Sequence, residues 1–128
     1  MKWLSRGLLA GLLLPLSGCQ IALYPITLVS CALRAQPTLS PEALPVARVG
    51  QPYQAQITLI ASSSPVSGFY AEPLPPGLTL QHQGRRPDAT LVGTPQRAGV
   101  YRFVVSVGTF GTQCAGLSAD REYRLEVK

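Results

Sequence analysis

Asparagine is absent from the 128 residues, and histidine occurs once, at His82. Without asparagine there is no N-glycosylation acceptor. One histidine leaves too few ligands for a zinc site, which takes about four. Charged residues make up only 13% of the chain, and the acidic ones number six. Among these Glu72, Asp88, Asp120, Glu122 and Glu126 read as solvated carboxylates rather than as the facing pair that glycoside hydrolysis requires. No serine has the context of a nucleophile elbow, although His82 with Asp88 or Asp120 would supply the rest of a triad. No glycine-rich stretch leads from a strand into a helix, so a phosphate cradle is missing. Lysine and arginine total eleven, yet only Arg85 and Arg86 are adjacent. A nucleic-acid surface needs a clustered basic stripe with stacking aromatics. The chain is therefore expected to be non-catalytic, to hold no cofactor or metal and to bind no nucleic acid. An enzyme with an unrecognised site is the remaining alternative.

Twelve glycines, twelve prolines and 46% hydrophobic residues point to many short strands and tight corners. Tyr53 to Ile60 alternates, with Tyr53, Ala55, Ile57 and Leu59 on one face and Gln54, Gln56 and Thr58 on the other, as in a half-buried strand. Tyr101, Phe103, Val105 and Val107 mark another strand, and Tyr123, Leu125 and Val127 the last. Gln36 to Glu42, with Pro37 and Pro41, reads as an irregular edge strand that Leu44 to Val49 continues. Val66 to Ala71 is a short strand. The expected fold is all-β, an antiparallel sandwich of about seven strands, with no helix after residue 20.

Signals are densest between Leu74 and Val107. Leu74-Pro75-Pro76-Gly77-Leu78 turns the chain, because the prolines fix extended residues and Gly77 can take a positive φ. Leu78, Leu80 and Leu91 are core positions, and Gly93-Thr94-Pro95 is a second corner. Polar segments His82 to Asp88 and Gly108 to Ala119 read as loops. They hold out Arg85, Arg86 and Phe110 as a candidate binding surface. Phe69, Tyr70 and Phe110 are either sugar-stacking rings or packing residues.

The N-terminus carries an address. Lys2 and Arg6 precede a short apolar run, Gly7 to Leu14, too short to span a bilayer. Leu16-Ser17-Gly18-Cys19 follows, which resembles the lipobox of bacterial lipoproteins. The resemblance implies cleavage between Gly18 and Cys19 and diacylglyceryl and acyl modification of Cys19. A lipid anchor of two or three chains holds firmly, at about 0.8 kcal/mol per buried methylene. Gln20, where an aspartate often retains a lipoprotein at the inner membrane, favours the outer membrane facing the periplasm, with surface exposure as an alternative. The expected divisions are a signal peptide at 1–18, an apolar tether at 19–35 and a sandwich at 36–128. Loss of Lys2 and Arg6 lowers the net charge from +5 to +3.

With Cys19 lipidated, Cys31 and Cys114 remain. In an oxidising compartment this pair reads as a disulfide, the alternatives being two free thiols or a bond to another chain. Closing that loop would contribute on the order of 4–5 kcal/mol. Ile21 to Leu33 is too apolar for a flexible linker, and Ile26 to Cys31 is expected to form an extra strand.

Four motifs in order, Gly50-Gln51-Pro52-Tyr53, Leu74 to Leu80, Gly93-Thr94-Pro95 and Ala98-Gly99-Val100-Tyr101, resemble the bacterial Ig-like domain related to the dystroglycan-type cadherin-like domain. The resemblance spans residues 44–127 and implies an Ig-like sandwich working outside the cytoplasm. Tyr101 resembles the tyrosine corner of Ig domains, with Phe103 where a core cysteine would sit. The clustered acidic ligands of calcium-binding cadherin relatives do not appear. The resulting expectation is a lipid-anchored envelope protein whose module binds or assembles with an envelope protein, with a carbohydrate- or peptidoglycan-contacting domain as the alternative.

Overall fold

The computed structural model describes the backbone of residues 18–128 and the side chains of residues 25–128. The expected signal segment lies outside the described residues, apart from the backbone of Gly18, and so does the Cys19 side chain. The chain divides into two compact units, residues 1–34 and 35–128.

The described part of the first unit is a helix, α1 (Gly18–Ala32). This corrects the extra strand expected at Ile26 to Cys31 and the expectation of no helix beyond residue 20. The run is apolar nearly throughout, so no polar face marks either period and only length separates helix from strand. Its 15 residues suit a helix better than a strand. Ser30 donates to the Ile26 carbonyl one turn back, at 2.8 Å. Ile26, Leu28, Val29 and Leu33 are exposed. Among the described residues no helix is long and apolar enough to cross a membrane.

The second unit is the sandwich. Its strands are β1 (Thr38–Ser40), β2 (Tyr53–Ile60), β3 (Val66–Glu72), β4 (Leu78–His82), β5 (Asp88–Gly93), β6 (Gly99–Thr109) and β7 (Ser118–Val127). They form a four-stranded sheet in the order β1-β2-β5-β4 and a three-stranded sheet in the order β3-β6-β7. All ladder pairs are antiparallel. This is the strand arrangement of constant-type Ig domains, so the expected seven-stranded Ig-like sandwich is the observed fold.

The core follows from period-two alternation. In β2, Tyr53, Ala55, Ile57 and Leu59 are buried, while Gln54, Gln56 and Thr58 face outward. Leu91, Phe103, Val105 and Leu125 fill the space between the sheets, and the Phe103 and Tyr123 rings lie 6.0 Å apart. Fully burying such a side chain contributes about 1.5–3 kcal/mol. The Tyr101 hydroxyl donates to the Arg97 carbonyl at 3.0 Å, which is the tyrosine corner.

At the same end of the sandwich Gly77 and Gly93 sit back to back. Both have positive φ, 90° and 142°. A methyl group on Gly93 would run into the Gly77 carbonyl, and one on Gly77 into the Thr94 carbonyl.

The N-terminal edge differs from expectation. Leu44 to Val49 does not continue β1. It crosses to the other sheet, where Ala47 bridges Val127 in parallel, with Ala47 N–H donating to the Glu126 carbonyl and Lys128 N–H to the Ala47 carbonyl, both at 2.9 Å. Pro41 and Pro45 bring no N–H to a ladder, so the strand breaks between them. Two core tyrosines hold the crossing segment: the Tyr123 hydroxyl donates to the Pro41 carbonyl (2.8 Å) and the Tyr53 hydroxyl to the Pro45 carbonyl (2.9 Å).

Candidate functional site

Antiparallel pairing gathers three connections at one end of the sandwich: 61–65 between β2 and β3, 83–87 between β4 and β5, and 110–117 between β6 and β7. The last two are shorter than the expected loops, because β4 runs on to His82 and β6 to Thr109. Phe110 N–H donates to the Pro65 carbonyl at 3.0 Å, joining the first connection to the third. Thr109 closes the base of the third: its hydroxyl donates to the Leu117 carbonyl (3.1 Å) and accepts from Leu117 N–H (2.9 Å). The guanidinium carbon of Arg85 lies 5.0 Å from the centre of the Phe110 ring. Such a cation–π contact contributes about 0.5–1 kcal/mol at an exposed site. Arg85 and Phe110, two of the three residues of the expected surface, therefore form one exposed feature. Arg86 does not join them. Its guanidinium pairs with Asp88 through two contacts of 3.2 and 3.4 Å. The Arg86 side chain, and then that of Gln56, hold the Asp88 carboxyl below the usual carboxylate range against the opposing effect of desolvation.

The catalytic residues offered by sequence are not brought together. His82 ends β4 on its inner side, with its ring 5.0 Å from that of Phe69, and its Nε2–H donates to the Arg86 carbonyl at 2.9 Å. Asp88 is occupied by Arg86, and Asp120 lies on the other sheet. Among the described residues no group of three His, Cys, Asp or Glu side chains is placed to hold a metal ion. Phe69 is buried, which settles it as a packing residue, while Tyr70 is 71% exposed. Cys31 and Cys114 are both disulfide-bonded.

The two outer sheet faces have opposite chemistry, a feature the sequence reading missed. Four of the six acidic residues, Glu72, Asp120, Glu122 and Glu126, share the outer face of the β3-β6-β7 sheet with Arg102 and Arg124. Arg102 and Glu122 pair there at 3.0 Å. The acids look dispersed along the sequence because β3 and β7 are far apart in it. Alternation and register together would have found the face. The outer face of the β1-β2-β5-β4 sheet instead carries mainly glutamine and threonine, with Ile60, Val92 and the Asp88 carboxylate among them. A groove of about 220 Å³ opens at its loop end, lined by Gln81, Gln83, Arg86, Asp88 and Thr90.

No protein-family model matches the chain, and no curated protein matches it in sequence. One solved structure supports the fold. An endo-fucoidan hydrolase of glycoside hydrolase family 107 is 23% identical with a TM-score of 0.53, over 85% of this chain and 20% of that one. The chain thus spans one fifth of that enzyme's length. A variant of the SrpA adhesin of Streptococcus sanguinis gives 11% identity and a TM-score of 0.48, over 74% of this chain and 56% of the adhesin. The titin Ig tandem domains give 12% and 0.42, over 74% and 51%.

Proposed function

We propose that this chain is a lipid-anchored protein of the bacterial envelope, most simply at the outer membrane, whose Ig-like sandwich is a non-catalytic binding or assembly module. The lipobox-like Leu16-Ser17-Gly18-Cys19 supports the anchor. The module reading is carried by one observation: Arg85 and Phe110, 25 positions apart in sequence, meet on loops at one end of a rigid scaffold. A guanidinium lying on an exposed ring is the kind of feature that interfaces use as an anchor. The scaffold itself belongs to the densest sequence motifs. Gly77, Gly93 and Pro95 turn the chain, and Tyr101 ties down a corner, so variation at the loops leaves the core unchanged.

Two measurements test the two halves. Labelling cells with palmitate should mark the wild-type chain and leave Cys19→Ala unlabelled; label persisting on the variant would remove the anchor. Capture from solubilised envelope should yield a specific partner lost on Arg85→Glu or Phe110→Ala. Equal capture by both variants would refute the loop-end surface.

A further inference from the structure

We propose that the outer face of the β1-β2-β5-β4 sheet binds an uncharged glycan chain, with one sugar seated in the groove between Gln81, Gln83, Arg86, Asp88 and Thr90. The proposal rests on the reading of this sandwich as a binding module and names a ligand class for a surface apart from the Arg85–Phe110 feature. Register places matching groups side by side. Gln56, Thr90 and Gln81 form one rung across β2, β5 and β4, and Gln54, Val92 and Thr79 form the next. Neighbouring strands lie about 4.8 Å apart and outward positions on a strand about 6.8 Å apart. Side-chain amides and hydroxyls therefore recur over this face on the scale of a sugar ring. A glutamine side chain carries two N–H donors and a carbonyl acceptor, and a threonine hydroxyl both donates and accepts; Gln56 uses part of that capacity on Asp88, and the Thr79 hydroxyl donates to the Val92 carbonyl. That dual capacity matches a sugar hydroxyl, which also does both.

The charge pattern decides the class. The charges on this face are Asp88 and, at its rim, Arg86, and they neutralise each other. Asp88 stays ionised as an acceptor, while the Arg86 side chain, 65% exposed, keeps N–H donors towards solvent. An anionic glycan would find no net positive charge to complement. A protein partner would want aromatic or arginine anchors in a desolvated patch, and the rungs of this face present none. Water-facing surfaces of small domains usually mix many charges of both signs, as the opposite face does with Glu72, Arg102, Asp120, Glu122, Arg124 and Glu126. The groove, at about 220 Å³, is smaller than the roughly 300–1,000 Å³ that encloses a drug-sized ligand. It suits one ring of a longer chain lying along the open face.

The test is an array of neutral and anionic glycans probed with the full mature chain in detergent, followed by calorimetric titration of the best neutral oligosaccharide. The expected result is saturable binding of a neutral chain, weakened at least fivefold by Gln81→Ala and by Thr90→Val and unchanged by Arg102→Ala on the opposite face. Thermal unfolding of each variant confirms that it is folded. No retention of any neutral glycan, stronger retention of anionic ones, or binding that survives both groove variants but is lost on Phe110→Ala would each overturn the proposal. A chain that fails this test yet still captures an envelope partner through Arg85 and Phe110 leaves the module reading standing.

Discussion

Tyr123→Phe isolates the contact that holds the strand crossing. The Tyr123 side chain is 1% exposed, and its hydroxyl gives the Pro41 carbonyl a 2.8 Å hydrogen bond across 82 residues of sequence. Phenylalanine keeps the ring in place against Phe103 and removes only the oxygen. A net hydrogen bond contributes about 0.5–1.5 kcal/mol, and stranding a buried acceptor adds to the cost. Pro41 is only half-buried, so water can replace part of the loss, and the expected destabilisation is about 1–2 kcal/mol. For a domain of this size that lowers Tm by about 5–10 °C. The effect should also be local. Hydrogen exchange at the Ala47, Val49 and Lys128 amides, which bond across the crossing, should accelerate, while exchange at the centre of β6 follows only the global change. Tyr53→Phe removes the neighbouring bond to Pro45, and the double variant should show coupling of about 0.5 kcal/mol or more, because both hydroxyls fix one segment. A Tm change under 2 °C for Tyr123→Phe, or full protection at Ala47 and Lys128, would refute the view that the tyrosines hold the sheet switch.

Other outcomes follow from the same structure. Gly93→Ala should cost on the order of 2–4 kcal/mol in denaturant unfolding, combining backbone strain with collision against Gly77, whereas Gly84→Ala, with open space around it, should cost clearly less. Arg121→Met should raise Tm, because Arg121 faces inward from β7 and its Nε is buried without a hydrogen-bond partner among the described residues, a situation that costs about 1–3 kcal/mol. Stability should fall at both pH extremes. Burial raises the phenols of Tyr53 and Tyr123 above their ordinary 10.0, and nearby Arg121 only partly offsets this for Tyr123, so their contribution is present below pH 10 and lost above it. Asp88, lowered from 3.8 by Arg86, contributes above that pH and loses the contribution as pH falls through its folded value. Asp88→Asn should flatten the acid side only, as read by Tm across a pH series.

The sandwich was legible because β2, β6 and β7 obey period two and turn inward the residues that alternation assigns, although β3 shifts register between Val66 and Gly68. The tyrosine corner and the Pro-Pro-Gly corner were legible because they are short-range. Other features needed information that no local window holds. α1 was missed because an apolar run carries no phase. The strand crossing was missed because Pro41 and Pro45 mark a break without saying where the chain goes next, and the destination is fixed by Tyr123, far along the sequence. At the candidate site Arg85 and Phe110 were both singled out as exposed loop residues, but their contact depends on which loops share an end. Arg86 was grouped with them because its pairing with Asp88 is a matter of side-chain geometry. The contrast between the two sheet faces was invisible until register placed Gln56, Thr90 and Gln81 in one rung and Glu72, Asp120 and Glu122 on another surface.

The central claim, a tethered module that binds through what its scaffold holds out, is tested most directly by photo-crosslinking in intact cells. A photoreactive residue is placed in turn at positions 85 and 110 on the loop end, and at 48 and 97 on the opposite end. The account predicts discrete adducts of the membrane-bound chain from 85 and 110 and none from 48 and 97. Adducts confined to 48 and 97 would contradict it.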